Sequence, residues 1–259
     1  MKGGFSVIIP TLNNADKTPR LISSILSQTS DQDEIVVVDG GSTDGTIESA
    51  AQQGVRVIQY PGLIDRRGYA RNLGTYYTTG KWLLFLDSDM ELQPGVFNAL
   101  RRAFEAGYEA VTIPEITCGT GVAGKLRVWE RRLTGVKPEL TFSRALTREV
   151  FERAGGFDER IIGFEDLDLQ ATLIECGTRI GRVESPIIHH EEGQTLRQYL
   201  IKRRKYEASA SLYRRKHPTL SSQVFSPVAR LQLYARGISC PTDTALFALA
   251  VAIRVLECL

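Results

Sequence analysis

Lys81-Trp82-Leu83-Leu84-Phe85-Leu86-Asp87-Ser88-Asp89 runs from an apolar stretch of strand length straight into two carboxylates one residue apart. In an extended strand residues i and i+2 point to the same side. The pattern therefore predicts Asp87 and Asp89 side by side at the mouth of a sheet. Two hard oxygen ligands there suit a Mg²⁺ or Mn²⁺ ion that also holds substrate phosphates, because Mg²⁺ usually takes only one or two protein carboxylates. A buried pair of like charges is costly unless a cation or hydrogen bonds offset it. A solvated loop carrying two acids is the plain alternative, and the rest of the chain weighs between the two.

Upstream, Phe5-Ser6-Val7-Ile8-Ile9-Pro10 and Glu34-Ile35-Val36-Val37-Val38-Asp39 read as short buried strands, the first stopped by proline. Helical spacing of Leu21, Ile22, Ile25 and Leu26 predicts a helix over 18–28. A turn at 40–45, a helix over 46–53, a strand over 55–59 and a helix over 67–78 follow. Strands alternating with helices indicate a parallel sheet covered on both faces, with ligands bound beyond the carboxyl ends of the strands. Pro10-Thr11, Asp39 and Asp87/Asp89 converge on that edge. Beyond residue 105 the pattern loosens. A strand is expected at 111–114, and a mobile loop or short helix at 118–135, where four glycines surround Trp129. A turn at 154–159, a helix from Glu165 to Cys176 and a strand near 179–183 lead toward His189-His190.

At 259 residues the chain is long enough for one large α/β domain or two small ones, and 42% hydrophobic with 24% charged residues is ordinary for a soluble globular protein. Cys118, Cys176, Cys240 and Cys258 are scattered without a C-x-x-C pair, which argues against structural zinc or a disulfide scaffold and fits a reducing compartment. The opening Met1-Lys2-Gly3-Gly4 leads directly into a strand, so no signal peptide is expected. The longest apolar stretch, 245–253, falls short of the roughly 20 residues that span a bilayer.

Taken together and in order, 6–13 (SVIIPTLN), 35–46 (IVVVDGGSTDGT), 71–74 (RNLG), 87–89 (DSD), 155–159 (GGFDE) and 165–169 (EDLDL) resemble the family 2 glycosyltransferases, inverting enzymes of the GT-A fold. The resemblance covers roughly residues 5–195. It implies an α/β class, with a GT-A (Rossmann-like nucleotide-binding) fold: a mostly parallel central sheet flanked by helices, plus a C-terminal helical extension. The implied organisation is a catalytic domain over 1–195, nucleotide-binding to about 105 and acceptor-binding from about 106, followed by an extension over 196–259. It further implies that Pro10, Thr11, Leu12, Asn13 and Asp39 grip the nucleotide, with Arg71 near the donor diphosphate or Asp39. Asp87, Ser88 and Asp89 take the D-x-D role, Asp89 as the likelier metal ligand and Asp87 closer to the ribose or metal shell, holding Mn²⁺ or Mg²⁺. Asp166 is implied as the base and Glu165 as its support or an acceptor contact, beside Gly156 and Phe157. A histidine near the diphosphate or metal is implied too, and the H-x-x-G spacing favours His190 over His189. Bland readings stand beside each: Asp39 and Asp44 as turn residues, Arg71 as a surface residue, the two histidines as core or surface, and Glu165-Asp166 as first-turn acids complementing a helix dipole. Asp168 suits that last role best.

Between 195 and 218, Arg197, Lys202, Arg203, Arg204, Lys205, Arg214, Arg215 and Lys216 face the single acid Glu207, with Leu196, Tyr199, Leu200, Tyr206, Ala210 and Tyr213 at helical spacing. Such a helix either rests on an anionic membrane surface or packs across the catalytic domain. No stacking platform accompanies the charge, so nucleic acid is not an expected partner. The function expected is metal-dependent transfer from a nucleotide-diphosphate sugar, UDP- before GDP-linked, to a hydroxyl of a glycan or lipid-linked acceptor. The expected place is the cytoplasm, with peripheral membrane contact. Transfer to a polyprenyl phosphate, a sugar-phosphate nucleotidyltransferase and an inactive nucleotide- or glycan-binding scaffold are the rival readings.

Overall fold

A computed structural model describes residues 2–62, 66–135, 140–193 and 195–257. Its strands are β1 (Lys2–Thr11), β2 (Glu34–Asp39), β3 (Arg56–Gln59), β4 (Gly80–Phe85), β5 (Met90–Leu92), β6 (Ala110–Thr112), β7 (Glu115–Cys118), β8 (Ala145–Thr147), β9 (Ile180–Arg182) and β10 (Ile187–His190). The helices are α1 (Thr18–Leu26), α2 (Thr46–Ala51), α3 (Arg67–Tyr76), α4 (Val96–Glu105), α5 (Gly121–Thr134), α6 (Arg148–Arg153) and α7 (Glu165–Glu175), then α8 (Leu196–Lys216), α9 (Pro218–Phe225), α10 (Pro227–Arg236) and α11 (Pro241–Glu257). Among the described residues one sheet runs β3-β2-β1-β4-β8-β6-β9. It is parallel except at β8, which lies antiparallel to both neighbours.

The β-branched runs make the centre of this sheet. Alternation along β1 sends Phe5, Val7 and Ile9 to one face, under α1 and α4, and Ile8 to the other, under α3, α6 and α7. Helix α3 approaches β1 closely because Gly74 has no side chain: a Cβ there would stand 2.5 Å from Ile8 Cγ2. A third apolar cluster joins Trp129 and Leu126 of α5 to Tyr199, Tyr234, Leu246 and Ile253 of the C-terminal helices. Of the two expectations for 118–135, a mobile loop or a short helix, the helix is found, and its glycines serve close packing. Gly119 and Gly124 meet backbone to backbone, and a well-formed helix runs from Gly121.

The second sheet, β5-β10-β7, lies off the main one and was not foreseen. Its pairing sets His189 opposite Met90, and the His190 N–H donates to the Asp89 carbonyl at 2.8 Å. The expectation that Asp87 and Asp89 share one strand face is corrected: β4 ends at Phe85, and both acids lie in the turn that leads into β5. Cys118, Cys176 and Cys240 carry free thiols, and Cys258 lies outside the described residues.

The Gly74 contact gives a direct test of the packing. Gly74→Ala should destabilise the protein by about 1–3 kcal/mol through overpacking, read as a lowered midpoint in denaturant unfolding.

Candidate active site

One side chain organises the crevice at the carboxyl edge of the sheet. Arg71, on α3, has no exposed surface, and its guanidinium meets three carboxylates. Nη2 reaches Asp87 Oδ1 at 2.6 Å, and Nη1 reaches Asp166 Oδ1 at 2.5 Å and Glu165 Oε1 at 3.5 Å. The aromatic rings of Phe157 and Phe142 flank it, 5.2 and 5.8 Å from its carbon to their centroids. Arg67, one helical turn earlier, binds Glu165 Oε1 at 3.0 Å and donates to the Tyr206 hydroxyl at 2.9 Å. Arg71 thus ties three acidic side chains together. Glu165 is buried and held by both arginines.

Asp87 is equally committed. Its second oxygen accepts from Arg144 Nη2 at 3.2 Å, and Arg144 Nε binds Glu115 Oε1 at 2.8 Å. Burial alone would raise the Asp87 carboxyl, yet Arg144, Arg71 and Arg67 hold it well below the ordinary range. Both oxygens of Asp87 are therefore engaged by guanidinium groups. Asp89 differs. Its side chain is 32% exposed, and Oδ1 lies 3.2 Å from His189 Nε2, while His189 Nδ1 lies 3.3 Å from Glu115. Strand alternation puts His189 on the buried side with Ile187, whereas His190 turns to Glu91 and Glu192 at 3.0 and 3.3 Å. His189 is thus the histidine beside the Asp89 carboxylate.

Asp166 occupies the first turn of α7, 27% exposed at its side chain. Burial raises its carboxyl above the ordinary value; Arg71 opposes this, while Glu165 and Asp87 add to it. A basic carboxylate at a cavity wall is what a proton acceptor requires.

The other expected residues separate into loop builders and cavity wall. Asp39 is sealed, taking hydrogen bonds from the Gly41 and Ser42 N–H groups at 2.9 and 2.8 Å and from the Ser42 hydroxyl at 2.5 Å. It shapes its own turn with both carboxylate oxygens. Asn13 adopts a left-handed φ of 49°, which asparagine tolerates. Its N–H and side-chain oxygen tie the first loop to Ser42 and Thr43 at 2.8 and 2.9 Å. Ser88 accepts from Asn14 Nδ2 at 2.8 Å. Phe157 packs against Phe85 and Phe151 beneath Arg71, and its backbone exchanges hydrogen bonds with Asn72 at 2.9 and 3.0 Å. Gly156 takes φ 71°, and a Cβ there would meet Asn72 at 2.9 Å. Both positions are fixed by their contacts with Asn72. Asp44 stays within turn chemistry, bound to Thr46 and Ala15. Asp168 is buried against Lys216 at 2.7 Å and His217 at 3.0 Å.

Two cavities meet here. One, of about 370 Å³, is lined by Pro10, Thr11, Leu12, Asn13, Ser88 and Asp89 among others. The second, of about 440 Å³, is lined by Asp166, His189, Arg127, Glu191 and Tyr199 among others. Arg67, Asp87, Asp89, Lys202 and Tyr206 belong to both walls. Lys202 and Tyr206 were not foreseen, although a residue three beyond Tyr199 and one seven beyond share its helical face. The basic segment is accounted for by packing: Tyr199, Ala210 and Tyr213 are buried, and α8 crosses the site. The side chain of Glu207 lies outside the described residues. Among the described residues no helix is long and apolar enough to cross a membrane.

Residues 6–157, more than half of the chain, match the family described as Glycosyl transferase family 2. The chain belongs to that family. A pre-mycofactocin glycosyltransferase of Mycobacterium tuberculosis (strain CDC 1551 / Oshkosh) is 28% identical over 232 residues, covering 82% of this chain and 48% of its own length. The chain thus spans about half the length of that curated relative. The mannosyltransferase PcManGT from Pyrobaculum calidifontis, in complex with GDP-Man and Mn²⁺, superposes with a TM-score of 0.63 at 21% identity, over 98% of this chain and 81% of that one. S. aureus TarS 1-349 in complex with UDP gives 0.60 at 18% identity, over 86% and 72%. These likenesses establish the fold.

The hub makes a strong prediction. Arg71→Met leaves three neighbouring carboxylates without their shared cation and should cost about 3–5 kcal/mol, measured by denaturant unfolding. The same change at the exposed Arg204 should cost nothing measurable.

Proposed function

We propose that this chain is an inverting glycosyltransferase that moves a sugar from a nucleotide-diphosphate sugar to a hydroxyl of a glycan or lipid-linked acceptor. The observation that carries this reading is the shared wall: Asp89 faces both cavities, and Asp166 lines only the second. The donor occupies the cavity bounded by Pro10–Asn13 and Ser88, and the acceptor the cavity holding Asp166. Asp166 takes the proton of the attacking hydroxyl while the anomeric carbon exchanges its bond to the β-phosphate oxygen for one to the acceptor oxygen. Arg71 holds Asp166 and Asp87 in fixed relation, so base and donor wall keep their separation. Residues 1–195 are proposed as the catalytic domain and 196–259 as the helical extension that closes it.

Asp89 and His189 fit a Mn²⁺ or Mg²⁺ ion. Asp89 is the partly exposed carboxylate, His189 stands 3.2 Å away, and the described residues contain no group of three or more metal-ligating side chains. That supply suits a cation which takes much of its coordination from phosphates and water. When bound, the ion serves as a Lewis acid for the departing diphosphate. Titration calorimetry with UDP, GDP and dTDP, each with and without Mn²⁺, tests the reading. One nucleotide should bind in a metal-dependent way, and no binding of any would overturn it.

Two variant pairs divide the roles. Asp89→Ala and His189→Ala should remove or weaken metal-dependent nucleotide binding, whereas His190→Ala should leave it intact. Asp166→Asn should keep nucleotide affinity and lower turnover about 10²–10⁴-fold; unchanged transfer would take Asp166 out of the base role.

A further inference from the structure

Helix α8 lies outside the matched family segment, and its inward face carries one residue that the proposed chemistry has not used. Tyr199, Tyr206 and Tyr213 line that face at intervals of seven. The helix is fixed along its length. Thr195 and Gln198 close a capping box at its start, and the Tyr199 hydroxyl donates to Glu130 at 2.9 Å. Tyr206 is held by Arg67 at 2.9 Å, and Lys216 and His217 bind Asp168 at the far end. Lys202 is carried on this face between Tyr199 and Tyr206, and lines both cavities.

Among the described residues Lys202 has no ion pair and no hydrogen bond, and its Nζ stands 5.9 Å from the centre of the Tyr206 ring. By contrast, Arg67, Arg127, Arg131 and Arg144 in the same wall are each matched to a carboxylate. Burial depresses the Lys202 ammonium below the ordinary lysine value and repulsion from Arg67 and Arg127 acts the same way, outweighing the pull of Glu191 and Asp89. A fixed, half-buried cation at the junction of two cavities is an anion site that the protein itself leaves open.

We propose that Lys202 binds the diphosphate of the donor, at the end that becomes the leaving group. This rests on the transferase reading. As the bond from the anomeric carbon to the β-phosphate oxygen breaks, its electron pair stays with the nucleoside diphosphate. Lys202 keeps its protons and pairs with the added negative charge, while the hydroxyl proton passes to Asp166. The side chain thereby ties the C-terminal helix to the donor.

The test compares whichever of UDP, GDP or dTDP binds the wild type with its own monophosphate, using wild type, Lys202→Met and Lys202→Arg. Lys202→Met should lose about tenfold in diphosphate affinity, the scale of one charge-assisted hydrogen bond. It should leave the monophosphate unchanged and raise the melting temperature of the ligand-free protein, since an uncompensated cation is gone. Lys202→Arg should recover much of the affinity. An equal loss for both nucleotides, no loss for the diphosphate, or a lowered melting temperature with both affinities reduced would each overturn the assignment. Failure of the wild type to bind any of the three would overturn the transferase reading and this assignment with it.

Discussion

The structure depends on a single buried guanidinium. Removing an ion from water costs several kcal/mol even after relaxation, and around Arg71 four ionised groups are brought together at the edge of one sheet. Arg71 makes this tolerable by meeting Asp87, Asp166 and Glu165 at once, with aromatic rings on its flanks. The compensation is incomplete: among the described residues Arg71 Nε and Glu165 Oε2 have no hydrogen-bond partner. Much of the neighbouring architecture serves to hold this group in place. Gly74 lets α3 lie against β1, Asn72 fixes the backbone of Phe157, and Arg144 takes the oxygen of Asp87 that Arg71 leaves. Residues that in sequence form separate short motifs are, in three dimensions, parts of one electrostatic arrangement.

The central sheet was legible because its signals are local. The apolar runs at 6–9, 35–38 and 83–86 need no partner to declare themselves, and β2 matches its expected bounds. Helices α1, α3, α7 and α8 follow from apolar spacing. The strands β5, β7 and β8 were not legible, because three or four residues carry too little periodicity to stand out. The reversal at β8 has no sequence signature for the same reason. At 118–135 the glycines left loop and helix open, because absence of a side chain serves flexibility and close contact alike.

At the site, the sequence indicates which residues matter better than it indicates what each does. A carboxylate in a motif announces that it has a partner, but not which one. Asp87 is claimed by Arg144, 57 positions away, and Glu165 by Arg67 and Arg71. Asp39 satisfies itself within three residues, a turn habit that was visible beforehand and understated. The choice between His189 and His190 turned on strand alternation, which the flanking Ile187 and Ile188 hide because both are apolar. Lys202 was counted among the basic residues of its helix. Its place on the tyrosine face is what separates it from them.

The two cavities share five side chains, Arg67, Asp87, Asp89, Lys202 and Tyr206. A substitution at any one of them therefore alters the lining of both compartments at once, and neither can be retuned there independently of the other.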